Sequence, residues 1–236
     1  MDNNIGIVLI PGAGLGSWVW NDLNSLLNYP VLAVDFPNRG DKTGANKLLK
    51  LADYTRPIIQ EMEAWNTPQL IIVAHSAGGV IGLKVAEYFK EQVIGFVGVG
   101  ATIPANGNSF LATLPLFKRI LLSLILRLAG TKPPESAIKA GLCNDLSPEM
   151  AEKVVCHFVP ESPALYLEKC RATIPPTKCL YVKLTNDKDF PESLQDQMII
   201  NLRAQAATLY SGHLPMLSCP TELAHLLNQF VTNCAS

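Results

Sequence analysis

The chain has 236 residues, 48% of them apolar and only 17% charged, and a formal net charge of −1 at pH 7. That length suits one domain carrying an insertion, and so much apolar content excludes a disordered chain. The near-neutral balance gives no overall field to gather nucleic acid or anionic lipid, so partners read chiefly by charge are not expected.

The opening Met-Asp-Asn-Asn has neither a basic region nor a cleavage site, and no secretory leader is expected. The first apolar runs, at 5–10 and 31–36, have the length of strands, as do 70–74, 93–99, 180–184 and 206–210. Helical spacing fills 18–27, 47–63 and 77–89 between the early ones, and 221–230 near the end. Strands that are continuously apolar rather than alternating, separated by helices, indicate a mostly parallel sheet covered on both faces, a doubly wound α/β fold. From 102 to about 177 strands are missing, and 109–128, 135–140, 148–158 and 164–170 read as helices. We therefore expect a core built from 1–101 and 178–236, with a helical cap inserted over 102–177.

The most apolar stretch of that insertion, 114–129, is broken by Lys118, Arg119 and Arg127. A membrane span needs about 18 or more apolar residues in a row, so none is expected here. Leu114, Phe117, Leu121, Leu124 and Leu128 recur near helical spacing. We expect this stripe to pack onto the sheet edge; the alternatives left open are an acyl or alcohol pocket and a homodimer face. The six cysteines, Cys143, Cys156, Cys170, Cys179, Cys219 and Cys234, include no C-x-x-C pair. They read as small apolar core residues of a reduced, cytoplasmic protein.

The sharpest local signal is Leu70-Ile-Ile-Val-Ala-His-Ser-Ala-Gly-Gly79, an apolar strand that turns into a helix through Ser76. A serine on so tight a turn is held in a strained conformation with its hydroxyl pushed out at the sheet edge. Small residues are needed two before and two after it, and Ala74 and Gly78 stand there. Ser76 could equally cap the helix that follows, and this segment alone does not separate the two readings.

With this turn, the blocks 11–20 and 187–215 complete a resemblance to the α/β-hydrolase superfamily, in particular to the small capped esterases that include the plant hydroxynitrile lyases. That superfamily orders its triad as serine, then acid, then histidine. Among four histidines, His213 alone lies in a loop after the last strand, where open α/β sheets carry ligand groups. The resemblance places the acid after one of two late strands. No Asp or Glu occurs from Gln92 through Pro134, which leaves the Thr185–Asp189 loop, and there the resemblance assigns Asp187, with Asp189 as its rival. The resemblance also implies an oxyanion hole from the backbone N–H groups of Ala77 and Ala13. Two departures stand out: Ala74 replaces the usual glycine, and Pro11-Gly12 replaces a His-Gly pair.

The implied activity is hydrolysis of a small to medium, largely apolar carboxylic ester through an acyl-enzyme, with no metal or cofactor. A hydroxynitrile lyase would carry Thr in place of Gly12 and Lys in place of Leu214, which disfavours that chemistry. A binding receptor that has kept the triad is a further alternative. Gly12-Ala-Gly14 with Asp35 also resembles a dinucleotide fingerprint, but Ser17 occupies its third glycine position and the reading leaves Ser76, Asp187 and His213 without a shared role.

Overall fold

Among the described residues six strands lie in the order β2-β1-β3-β4-β5-β6, and all five of their pairings are parallel. The computed structural model describes residues 4–39 and 46–235, so the first three residues of the N-terminal reading lie outside it. The strands are β1 (Ile5–Ile10), β2 (Val31–Ala33), β3 (Gln69–His75), β4 (Val93–Val99), β5 (Lys178–Leu184) and β6 (Gln205–Leu209). Helices α1 (Asn21–Asn24), α2 (Leu51–Trp65) and α3 (Gly78–Tyr88) join the first four strands. Between β4 and β5 come α4 (Leu116–Leu128), α5 (Glu135–Ala140), α6 (Pro148–His157) and α7 (Ala164–Leu167); α8 (Glu192–Leu202), α9 (Pro215–Ser218) and α10 (Pro220–Ala235) complete the chain.

Both faces of the central strands are buried, which is why β1 and β4 are apolar throughout, whereas the edge strand β6 is mostly exposed and carries Gln205 and Thr208. Because side chains alternate along a strand, Val8, Ile10 and Ile72 face one layer with Tyr54, Ile58 and Phe96. Ile7, Leu9 and Val73 face the other layer with Trp20, Leu23 and Leu227. The chain winds from β1 outward to β2 and then resumes on the other side of β1 with β3. That reversal opens a crevice at the carboxyl ends of β1 and β3, where open α/β sheets bind their ligands.

Several expected elements are revised. The helix expected over 109–128 is two pieces, a 3-10 turn at Phe110–Thr113 and α4. Pro115 separates them, because a residue before proline is driven out of the helical region, and Leu114 is extended at φ −87° and ψ 151°. The strand expected over 31–36 ends at Ala33, since β2 is an edge strand and Asp35 leaves it to accept hydrogen bonds from Ser17 N and Oγ. That tie also employs both polar groups of the dinucleotide-like pattern in closing the turn. The helix expected over 164–170 stops at Leu167. Helix α8 has too sparse an apolar stripe to announce itself: its buried residues are Gln195, Met198 and Leu202. Cys143, Cys170 and Cys179 are buried as expected, whereas Cys156 is exposed on α6.

The largest departure concerns α4, which does not pack its stripe onto the sheet edge. Phe117, Leu121, Leu124 and Leu128 are exposed, and Leu126 is the buried residue of the helix.

Candidate active site

Ser76 sits between β3 and α3 with φ at +50°, a conformation rarely adopted by a residue bearing a Cβ. Packing holds it there. Its amide donates to Val99 O at 3.2 Å, and its carbonyl accepts from Gly79 N and Thr102 N. A Cβ on Gly78 would stand 2.4 Å from the Pro11 carbonyl oxygen, so strand and helix approach this closely only through glycine. The alanine at 74 is accommodated one turn into the helix, because Gly82 leaves the space its methyl fills; a Cβ on Gly82 would lie 2.9 Å from Ala74 Cβ.

Ser76 Oγ lies 2.9 Å from His213 Nε2, and His213 Nδ1 lies 2.7 Å from Asp187 Oδ2. Three side chains from the ends of β3, β5 and β6 thus form one hydrogen-bonded chain. The other Asp187 oxygen accepts the amides of Asp189 and Phe190 at 2.8 and 2.9 Å. Burial alone would push the Asp187 carboxyl up, but His213 and these two amides hold it below the ordinary value. Burial likewise opposes charge on His213, yet Asp187 beside it carries the imidazole above the usual histidine value. The rival acid Asp189 makes no hydrogen bond to the imidazole among the described residues. Its side chain is half exposed and its carboxylate reaches no nearer than 4.0 Å to His213 Nε2.

Ala13 follows β1 by three residues; neither its amide nor that of Ala77 donates a hydrogen bond among the described residues. The next residue is anchored, with Gly14 N donating to Glu161 Oε1 at 2.9 Å. Glu161 is fully buried, ion-paired with Arg39 and hydrogen-bonded by Tyr54 Oη at 3.0 Å, while Arg39 Nε donates to Leu15 O. The glycine loop is therefore held from within the 102–177 segment.

Four other residues that the sequence reading missed, or set aside, hold the loops. Asp145 Oδ2 accepts Gly212 N at 2.5 Å, beside His213, and Asn144 Nδ2 donates to Asn186 O at 2.9 Å, beside Asp187. A Cβ at 212 would lie 2.3 Å from Asp145 Oδ1, so a larger residue there would displace the carboxylate that accepts its amide. Gln195 Nε2 donates to Leu184 O and Phe190 O at either end of the Asp187 loop. His75, the residue before Ser76, is fully buried, and its Nε2–H donates to His213 O at 2.8 Å. Complete burial, with His213 close by, lowers its pKa to about 3, so the ring is neutral, with Nδ1 unpartnered. Gln195 lies on a helix without a clear apolar stripe, and Asn144 and Asp145 come from a segment remote in the chain from the loops they hold. His157 and His225 are exposed.

A cavity of about 640 Å³ lies between the end of α4 and residues 156–163, with Phe158 and Glu161 in its wall; Ser76, Asp187 and His213 are not among the residues that line it. Phe158 also covers Gly14. Among the described residues no three His, Cys, Asp or Glu side chains converge as metal ligands.

A serine on a left-handed turn at the switch point, backed by a histidine and a buried aspartate, accompanies membership in the alpha/beta hydrolase family, which the chain matches over residues 7–226. Within the family it is similar to a chloroplastic Arabidopsis thaliana protein named as methylesterase 13, with 29% identity over 93% of this chain. It spans only 54% of that protein's length. To methylesterase 17 of the same plant it is 27% identical over 93% of this chain and 89% of the relative. Among solved structures, a pyrethroid hydrolase from Sphingobium faniae superposes with a TM-score of 0.80 at 21% identity, covering 97% of this chain and 98% of the other, a likeness of fold.

Proposed function

We propose that this chain is a serine hydrolase that cleaves carboxylic esters of small to medium size and largely apolar character through an acyl-enzyme. The observation that carries the reading is the continuous chain from Ser76 Oγ through His213 to Asp187, at 2.9 and 2.7 Å, on a turn that projects the hydroxyl. His213 Nε2 takes the Ser76 proton as Oγ attacks the ester carbonyl, then returns it to the departing alkoxide. Asp187 holds Nδ1–H and stabilises the imidazolium without taking the proton. The Ala77 and Ala13 amides donate to the developing oxyanion, and a water activated by His213 releases the acid. Segment 102–177 acts as a cap over a core of 1–101 and 178–236, its Asn144, Asp145 and Glu161 steadying the reacting loops.

Relatives named as methylesterases support an ester as substrate. Gly12 and Leu214 supply neither a hydroxyl nor an ammonium for a cyanide leaving group, which weighs against a lyase. The test is a panel of uncharged esters varied in acyl length and in alcohol, from methyl upward. Turnover that depends on Ser76 is expected. Release of cyanide from hydroxynitriles with no ester cleaved would overturn the reading.

A further inference from the structure

Helix α4 is amphipathic in the reverse sense for a helix of a water-soluble domain. Leu116, Phe117, Ile120, Leu124 and Leu128 stand 70, 78, 62, 54 and 78% exposed, while Leu126 on the opposite side is its anchor to the protein. At about 100° per residue these side chains, with Leu121 and Ile125, sweep one continuous arc of roughly 180°. Lys118 falls just beyond one border of that arc and Arg127 just inside the other, between Leu116 and Ile120, with Arg119 further round, and all three are exposed. No carboxylate occurs from Gln92 through Pro134, whereas Lys118, Arg119, Arg127 and Lys132 all lie there. The net charge of −1 thus conceals a patch that is wholly basic and apolar.

We propose that α4 is an interfacial helix that docks this chain on an anionic lipid surface. The arc has the form of a helix lying in the plane of a bilayer, its apolar side chains sunk below the headgroups and its border cations extended to the phosphates. Charge complementarity selects this occupant over a second copy. Two α4 helices packed about a twofold axis would set Lys118 and Arg127 against their own kind, with no carboxylate on the helix to answer them. Among the described residues no helix is long and apolar enough to cross a membrane, so the contact is a surface one.

The inference goes beyond the hydrolase reading and does not use turnover. The full chain is sedimented with phosphatidylcholine vesicles containing about 30% phosphatidylglycerol, and with phosphatidylcholine alone. We expect binding at least about tenfold stronger to the anionic vesicles and a decline with added salt. Phe117→Ser/Ile120→Ser should abolish binding to both, and Lys118→Glu/Arg127→Glu should remove the anionic preference. Both pairs should keep the parent's thermal midpoint, because these side chains contact solvent. Absence of parent binding to anionic vesicles would overturn the proposal. So would a concentration-dependent dimer that the Phe117→Ser/Ile120→Ser pair dissociates in a chain that ignores vesicles.

Discussion

His75, one residue ahead of Ser76, donates Nε2–H to the main-chain carbonyl of His213, 138 positions later, and so ties the Ser76 turn to the loop that carries its partner. A side chain that never faces the crevice sets the height of the imidazole that does. His75→Phe preserves much of the ring's volume and deletes the donor, leaving a buried carbonyl unpaired. It should lower stability by about 1–3 kcal/mol and reduce kcat more than it raises KM. His75→Gln, which can still donate, should recover part of kcat, as steady-state kinetics would reveal.

The same residue makes a prediction about acid stability. Its folded pKa of about 3 lies below the ordinary 6.5, so below pH 6.5 the unfolded chain binds a proton that the folded chain refuses. Stability from this group is present above 6.5 and is lost as pH falls toward 3. Thermal midpoints recorded across that window should decline less steeply in His75→Gln than in the parent.

The two acids are separated by geometry. Asp187→Asn removes the acceptor at 2.7 Å from His213 Nδ1 and should cut kcat by about 10⁴-fold. Asp189→Asn alters a half-exposed group and should cost less than about tenfold. A greater loss at Asp189 would reverse the assignment.

Because Asp187 raises the pKa of His213 above the ordinary value, kcat/KM should climb with pH through a midpoint above 6.5, as the imidazole becomes neutral. In Asp187→Asn burial is left to dominate, and the midpoint of the residual activity should move down. The pH profiles of the two proteins check this directly.

Glu161 and Arg39 form a buried ion pair that anchors Gly14 beside Ala13. Glu161→Gln strands the Arg39 charge and should cost about 3–5 kcal/mol, as in other half-broken buried pairs. Adding Arg39→Met should restore part of the thermal midpoint without restoring kcat, because the carboxylate that held the glycine loop is still missing.

Much of this was legible in the sequence for identifiable reasons. β1 and β4 match their expected bounds because fully buried parallel strands are apolar at every position. Ser76 was marked by the strand-to-helix turn, His213 by its place after the last strand, and Asp187 by family resemblance once carboxylates were absent after β4. The supports were not legible. Asp145 and Gly212 are 67 positions apart, and Gly14 and Glu161 are 147 apart, so no local pattern announces either contact. Periodicity along α4 revealed an apolar stripe but not which way it faced, because a stripe that meets the core and one that meets solvent have the same spacing.

The central claim is that Ser76 is the nucleophile. Its most direct measurement is intact and peptide mass spectrometry after reaction with a serine-directed fluorophosphonate, run beside ester turnover by Ser76→Ala. A single adduct on the peptide containing Ser76 is expected, with no adduct in the variant and turnover reduced to background in a folded chain. An adduct on another serine, or undiminished ester cleavage by Ser76→Ala, would contradict it.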